Sequence, residues 1–207
     1  MHIKKIKEIL KNKKREPLDI EIYHAVLLPL INIDNELHLI YEVRAKHMKS
    51  QPGEISFPGG RVEVEENFKE AAVRETFEEI GINKKNIKVI GELDYLTSTG
   101  NFILYPYVGE IVNTKLEDLK LNPDEVEKIF TVPLNFFCKN EPEIYEIKYE
   151  PNFKDDFPFH KIQNGKKYNW RNMKYPVYFF EYKDYIIWGL TAKITNNFIK
   201  YIKNNMI

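Results

Sequence analysis

The run from Phe57 to Ile82, FPGGRVEVEENFKEAAVRETFEEIGI, constrains this chain more than any other stretch. Its Pro-Gly-Gly reads as a tight turn whose bare backbone can come close to another group. Asn67 to Ile80 carries helical spacing, and Gly81 supplies a left-handed stop. That spacing predicts Val73, Thr76, Phe77 and Ile80 on one side of the helix and Glu75, Glu78 and Glu79 on the other. At 3.6 residues per turn the three carboxylates fall within an arc of about 100°. Like charges at this spacing destabilise a helix. Two remedies are open: full solvation of an acidic face, or a hard divalent cation such as Mg²⁺, which prefers oxygen ligands and pairs carboxylates with substrate phosphates. Arg74, one residue before Glu75, is positioned to orient a carboxylate.

The rest of the chain reads mostly as strands. YHAVLLPLI and LHLIYEVR flank the polar NIDNE and predict a hairpin, and a short extended piece follows near Ile55 to Phe57. IKVIGELDYLTS, FILYPYVGEIV, EIYEIKYE and YPVYFFEYKDYIIW read as further strands. NPDEVEKIFTVPL reads as a turn and then a strand stopped by Pro133, and LNFFCKN as a helical turn. Ile194, Phe198, Ile199 and Ile202 space out a closing helix over about residues 191–204. Residues 153–172 are polar and aromatic without a period. This order predicts an α+β chain with helices packed on a mixed sheet, one domain over 1–207: a helical extension at 1–20, then a core at 21–207 ending in the closing helix.

Composition narrows the function. Lys plus Arg and Asp plus Glu both number 31, so the formal charge is +0 and no broad basic face is available for nucleic acid. The single cysteine, Cys138, excludes a disulfide framework and a Cys-rich zinc site; it reads as a small apolar residue beside Phe136 and Phe137. No apolar run is long enough to span a membrane. Ile3, Ile6, Ile9 and Leu10 predict an amphipathic N-terminal helix with a solvated basic face rather than a secretion signal, which leaves the cytoplasm as the default compartment.

The acidic helix and its turn together resemble the Nudix box, Gly-x5-Glu-x7-Arg-Glu-U-x-Glu-Glu-x-Gly-U, in which U is apolar. Gly60, Glu66, Arg74, Glu75, Glu78, Glu79, Gly81 and Ile82 fill it, and Thr76 replaces an aliphatic residue. The resemblance implies a Nudix hydrolase fold, with a mixed sheet sandwiched between helices, and hydrolysis of a phosphoanhydride with Mg²⁺ or Mn²⁺. It implies Glu75 and Glu79 as leading metal ligands, Glu78 as ligand or water-activating base, and the carbonyl of Gly59 as a further ligand. Arg74 becomes the orienting partner; Glu66 either ligates through water or pairs with Arg74. Glu125, in NPDEVEKIF, is a second candidate base or a surface strand residue, and the base stays open between Glu78 and Glu125.

RAKHMKSQPGEISFPGG is similar to the segment before the box in the coenzyme A diphosphatase branch, with Arg44, Ala45, Gly53, Phe57, Pro58, Gly59 and Gly60 matching. LNPDEVEKIFTVPL and IWGLTAKI resemble the same branch. Lys49 stands where Arg is usual and keeps the charge but not the planar fork; LIYEV departs from the usual Leu-Leu-Thr. The implied reaction splits coenzyme A, or an acyl or oxidised form, into 3′,5′-ADP and a 4′-phosphopantetheine product. Arg44, Lys49 and Arg61, with Lys46 nearby, are the candidate cations for its phosphates. ADP-ribose or another nucleoside diphosphate derivative is the alternative substrate, and a non-catalytic nucleotide-binding module is the alternative outside catalysis. The expected partner is a small-molecule diphosphate, with no nucleic acid and no membrane.

Overall fold

In the computed structural model, residues 2–98 and 101–205 are described. Alternation of apolar residues builds the central strands. On β1 (Ile22–Ile33), Ala25, Leu27 and Ile31 face one way and Leu28 and Leu30 the other. On β2 (Glu36–Arg44), Leu39, Tyr41 and Val43 join the second face and Ile40 the first. Asp34 and Asn35 at the intervening turn both take positive φ, which Asp and Asn tolerate, so the expected hairpin closes in two residues.

The main sheet is mixed. Its path runs β3 (Ile55–Ser56), β2, β1, β7 (Phe102–Ile111), β5 (Ile87–Glu92), with β1 and β7 parallel and the other pairs antiparallel. The short β4 (Gly59–Arg61) pairs with β1, β6 (Leu96–Thr97) with β7, and β8 (Val126–Pro133) with β2. The strand expected over IKVIGELDYLTS is thus two pieces.

Each face is covered by helix. Helix α2 (Phe68–Ile80) buries Ala71, Ala72 and Ile80 against Ala25, Leu27 and Ile40. On the opposite face, α3 (Leu134–Lys139) and α4 (Gly189–Asn205) bring Phe137, Ala192, Ile194, Phe198 and Ile199 onto Leu28, Leu39, Tyr41 and Val108. Cys138 is half-buried at the edge of this core.

A second, three-stranded antiparallel sheet shares no strand with the first: β9 (Glu143–Tyr149), β10 (Met173–Tyr182) and β11 (Tyr185–Trp188). A two-residue turn with Lys183 at positive φ breaks the expected last strand into a hairpin. Phe180 and Ile187 carry this sheet into the α4 core. Residues 153–172 form no strand or α-helix; Phe153, Phe157, Phe159 and Trp170 pack ring against ring instead. The N-terminal helix is α1 (Ile3–Lys11), with no buried residue. No helix among the described residues is long and apolar enough to cross a membrane.

Candidate active site

Helix α2 is fixed at both ends by its own sequence. Asn67 and Glu70 form a reciprocal capping box, the Glu70 N–H donating to Asn67 Oδ1 at 2.9 Å and the Asn67 N–H to Glu70 Oε2 at 3.2 Å. Gly81 stops the helix at φ 74°, where a side chain would meet the backbone of Lys120. In front of the helix, Gly59 and Gly60 pair with Val26 and Ala25, which lays the glycine turn along β1. A Cβ on Gly60 would run into the Glu75 carboxylate. Only glycine lets the turn and the acidic helix approach this closely.

Arg74 organises the acidic residues. Its Nε and Nη2 donate to the two oxygens of Glu66 at 2.9 and 3.0 Å, a bidentate pair. Its Nη1 lies 2.9 Å from Glu75 Oε1 and donates to Glu78 Oε2 at 2.9 Å. Nη2 also donates to the carbonyl of Arg61 at 3.1 Å, which ties the clamp to the glycine turn. The hydrogen bonds Arg74 donates to Glu66, then those to Glu75 and Glu78, push the Arg74 pKa up, while the bond from Arg74 pulls the Glu66 carboxyl down. Glu75 is raised, burial outweighing the attraction of Arg74. Of the two roles open to Glu66, pairing with Arg74 is the one the geometry displays.

The inner face of α2 corrects the expected amphipathic split. Phe77 is 45% exposed, whereas Glu79 is 4% exposed and faces the sheet. The reason is a contact from outside the helix: Glu79 Oε2 accepts the Gly59 N–H at 2.7 Å, which gives the buried carboxylate a partner and seats the turn on the helix. Beyond it on β2 lies Glu42, 1% exposed, whose Oε1 accepts from Ser56 Oγ at 2.9 Å. Burial first and then the negative charge of Glu42 push the Glu79 carboxyl well above the ordinary range. Burial also raises Glu42. The charges of Glu75 and Glu125 add to both. Glu125, half-buried just before β8, is therefore near these carboxylates; its carbonyl accepts the Ala45 N–H at 2.8 Å.

This oxygen-only, negatively charged set fits a hard divalent cation. A cation would relieve the mutual repulsion, and the buried Glu42 Oε2 has no hydrogen-bond partner. Among the described residues no three Asp, Glu, His or Cys groups are drawn to one closed metal cage, and Glu75 and Glu78 are engaged by Arg74.

Residues 24–152 match the NUDIX domain family. This chain belongs to the Nudix family. It is 38% identical over 117 residues to "Nudix hydrolase 3" of Caenorhabditis elegans, a match covering 56% of this chain and 49% of that protein. It is 30% identical over 177 residues to "Peroxisomal coenzyme A diphosphatase NUDT7" of Mus musculus, covering 82% and 66%. The chain thus spans between about half and two thirds of these curated relatives. A crystal structure of a MutT/nudix family protein from Enterococcus faecalis shares the fold, with a TM-score of 0.53 at 13% identity over 100% of this chain and 71% of that one.

Beside the Nudix turn opens a cavity of about 640 Å³. Gly59 and Gly60 form part of its wall, with Arg44, Ser56, His24 and Thr191. Of the candidate substrate cations, Arg44 lines it and has a buried Nε with no acceptor. Lys49, Lys46 and Arg61 are exposed and do not line it. Arg61 does reach its edge: it pairs with His24 across β4 and β1, and its charge, after burial, lowers the His24 pKa. Sequence reading passed over His24 and Glu42. His24 carried no signal, being one polar residue at a strand start. Glu42 did carry one, a carboxylate inside the apolar run LHLIYEVR.

Proposed function

We propose that this Nudix protein hydrolyses the diphosphate of coenzyme A, or of an acyl or oxidised derivative, to 3′,5′-ADP and a 4′-phosphopantetheine product. The observation that carries the reading is Arg44: a guanidinium N–H buried without an acceptor, in a cavity walled by Gly59 and Gly60, the two glycines that lie against Glu79 and Glu75 of the acidic helix. A buried donor of this kind calls for an anion. The likeness of residues 44–60 to the coenzyme A branch and the name of the Mus musculus relative support the same substrate.

In this reading Glu75, Glu78, Glu79 and the carbonyl of Gly59 hold Mg²⁺ or Mn²⁺. When bound, the ion withdraws charge from the phosphoryl oxygens and makes water a better nucleophile at neutral pH. The chain's own residues do the rest. Arg74 keeps Glu75 and Glu78 in one orientation, and Glu66 keeps Arg74 in place. The Gly59 N–H holds Glu79 and so ties the turn to the helix. Either Glu78 or Glu125 takes the proton from the attacking water. Arg44 meets the diphosphate, and the exposed Lys49 and Arg61 meet the ribose 3′-phosphate. One water adds across one P–O–P bridge, and two phosphate monoesters leave.

Hydrolysis of ADP-ribose or another nucleoside diphosphate derivative is the second reading. Lys49 in place of a forked Arg, lying outside the cavity wall, favours it. A binding module without catalysis is disfavoured by an acidic set that keeps every box carboxylate. Incubation with Mg²⁺ and coenzyme A, dephospho-coenzyme A or ADP-ribose in parallel, with products weighed by mass spectrometry, tests the choice. The expected result is fastest release of 3′,5′-ADP from coenzyme A. Faster turnover of ADP-ribose would overturn it.

A further inference from the structure

Glu42 is a carboxylate where strand chemistry asks for an apolar residue. It sits mid-strand on β2, and its even-numbered neighbour Ile40 packs in the core under α2, whereas Leu39, Tyr41 and Val43 pack on the other side. Strand alternation therefore turns Glu42 towards α2, the helix that carries Glu79. The residue is 1% exposed. One oxygen is spoken for, by Ser56 Oγ at 2.9 Å, and the other, Oε2, is buried with no hydrogen-bond partner. Arg44, two residues along, makes no ion pair with it among the described residues, although its charge is felt there. The negative charges felt at Glu42 are Glu125, Glu75 and, through their mutual repulsion, Glu79.

Burying a carboxylate beside three others is among the most unfavourable arrangements a core can hold unless a cation is part of it. We infer that Glu42, through its unpaired Oε2, is a further ligand of the divalent cation that Glu79 holds, which gives the site a carboxylate from the sheet as well as those from the helix. Ser56 then acts as the positioning residue, holding Oε1 so that Oε2 faces the ion. Glu42 stands on β2 and takes no part in the Arg74 clamp, so a ligand there ties the cation to the sheet as well as to the helix. The inference rests on the cation-dependent reading above.

The test is Mn²⁺ binding alone, without substrate, followed by calorimetry and by the electron paramagnetic resonance of free Mn²⁺. Wild type, Glu42→Gln and Glu79→Gln are compared. Glu42→Gln keeps the shape and the Ser56 partner and removes the charge. The expected result is Mn²⁺ binding weakened by about tenfold to a hundredfold in both variants. In chelator, Glu42→Gln melts no lower than wild type, and added Mn²⁺ raises its melting temperature less. Wild-type affinity in Glu42→Gln with a loss in Glu79→Gln would overturn the inference and leave the reading of the site standing. No Mn²⁺ binding by wild type would overturn both. If Glu42→Gln fails to fold, anomalous diffraction from wild-type crystals soaked in Mn²⁺ decides: a peak in coordination contact with Glu42 Oε2 supports the inference, and a peak bound by Glu79 without Glu42 refutes it.

Discussion

Arg74 is the residue on which the acidic set turns, since it holds Glu66, Glu75 and Glu78 at once. Lysine keeps the charge but offers a point rather than a fork. Arg74→Lys should therefore lower turnover by on the order of ten- to a hundredfold with the fold intact, checked by steady-state kinetics beside a melting curve. The box spacing displayed this residue, and its bidentate contact with Glu66 is one of the two roles read from sequence. The burial of Glu79 was not legible, nor was the exposure of Phe77. Polarity alone sorts a glutamate outward and a phenylalanine inward. What reverses them is a backbone N–H from Gly59, twenty residues away, which satisfies the carboxylate inside. Such a partner leaves no trace in helical spacing.

At the scale of elements, the glycine turn and α2 form one unit whose tolerances are set by close approach. Gly81→Ala must hold an L-residue at φ 74° against the backbone of Lys120. It should destabilise the fold by more than about 1 kcal/mol in urea titration. Asn67→Ala removes one half of the capping box and should lower stability by about 1 kcal/mol. Gly60→Ala acts differently, because its methyl group meets a side-chain carboxylate, Glu75, rather than backbone. Activity should fall far more than melting temperature, and equal losses in both would contradict the close-approach argument. The helix ends and the β1–β2 hairpin were legible because caps, stops and turns are local chemistry. The second sheet was not, since β9 and β10 pair across residues 153–172, and that segment is held by aromatic contacts rather than by a period.

Across the whole molecule, a single mixed sheet separates two cores, and the buried carboxylates Glu42 and Glu79 sit at the margin of the one under α2. Their folded pKa values are raised above the ordinary 4.5. The fold therefore holds protons that the unfolded chain has released, and stability is lost as pH rises from about 4.5 through the raised values. In chelator the melting temperature should fall as pH rises from about 4.5, through about 7 for Glu42 and on towards about 10 for Glu79. Saturating Mg²⁺ should raise it most at the upper end, where both groups must otherwise carry buried charge. A pH-independent melting temperature in chelator would contradict this. The most direct test of the central claim is product formation from coenzyme A with Mg²⁺ or Mn²⁺ by wild type and by Glu79→Gln, followed by mass spectrometry. Wild type should release 3′,5′-ADP and 4′-phosphopantetheine, and Glu79→Gln should be slower by about a hundredfold or more. Equal turnover by the two, or no cleavage of any diphosphate by wild type, would contradict it.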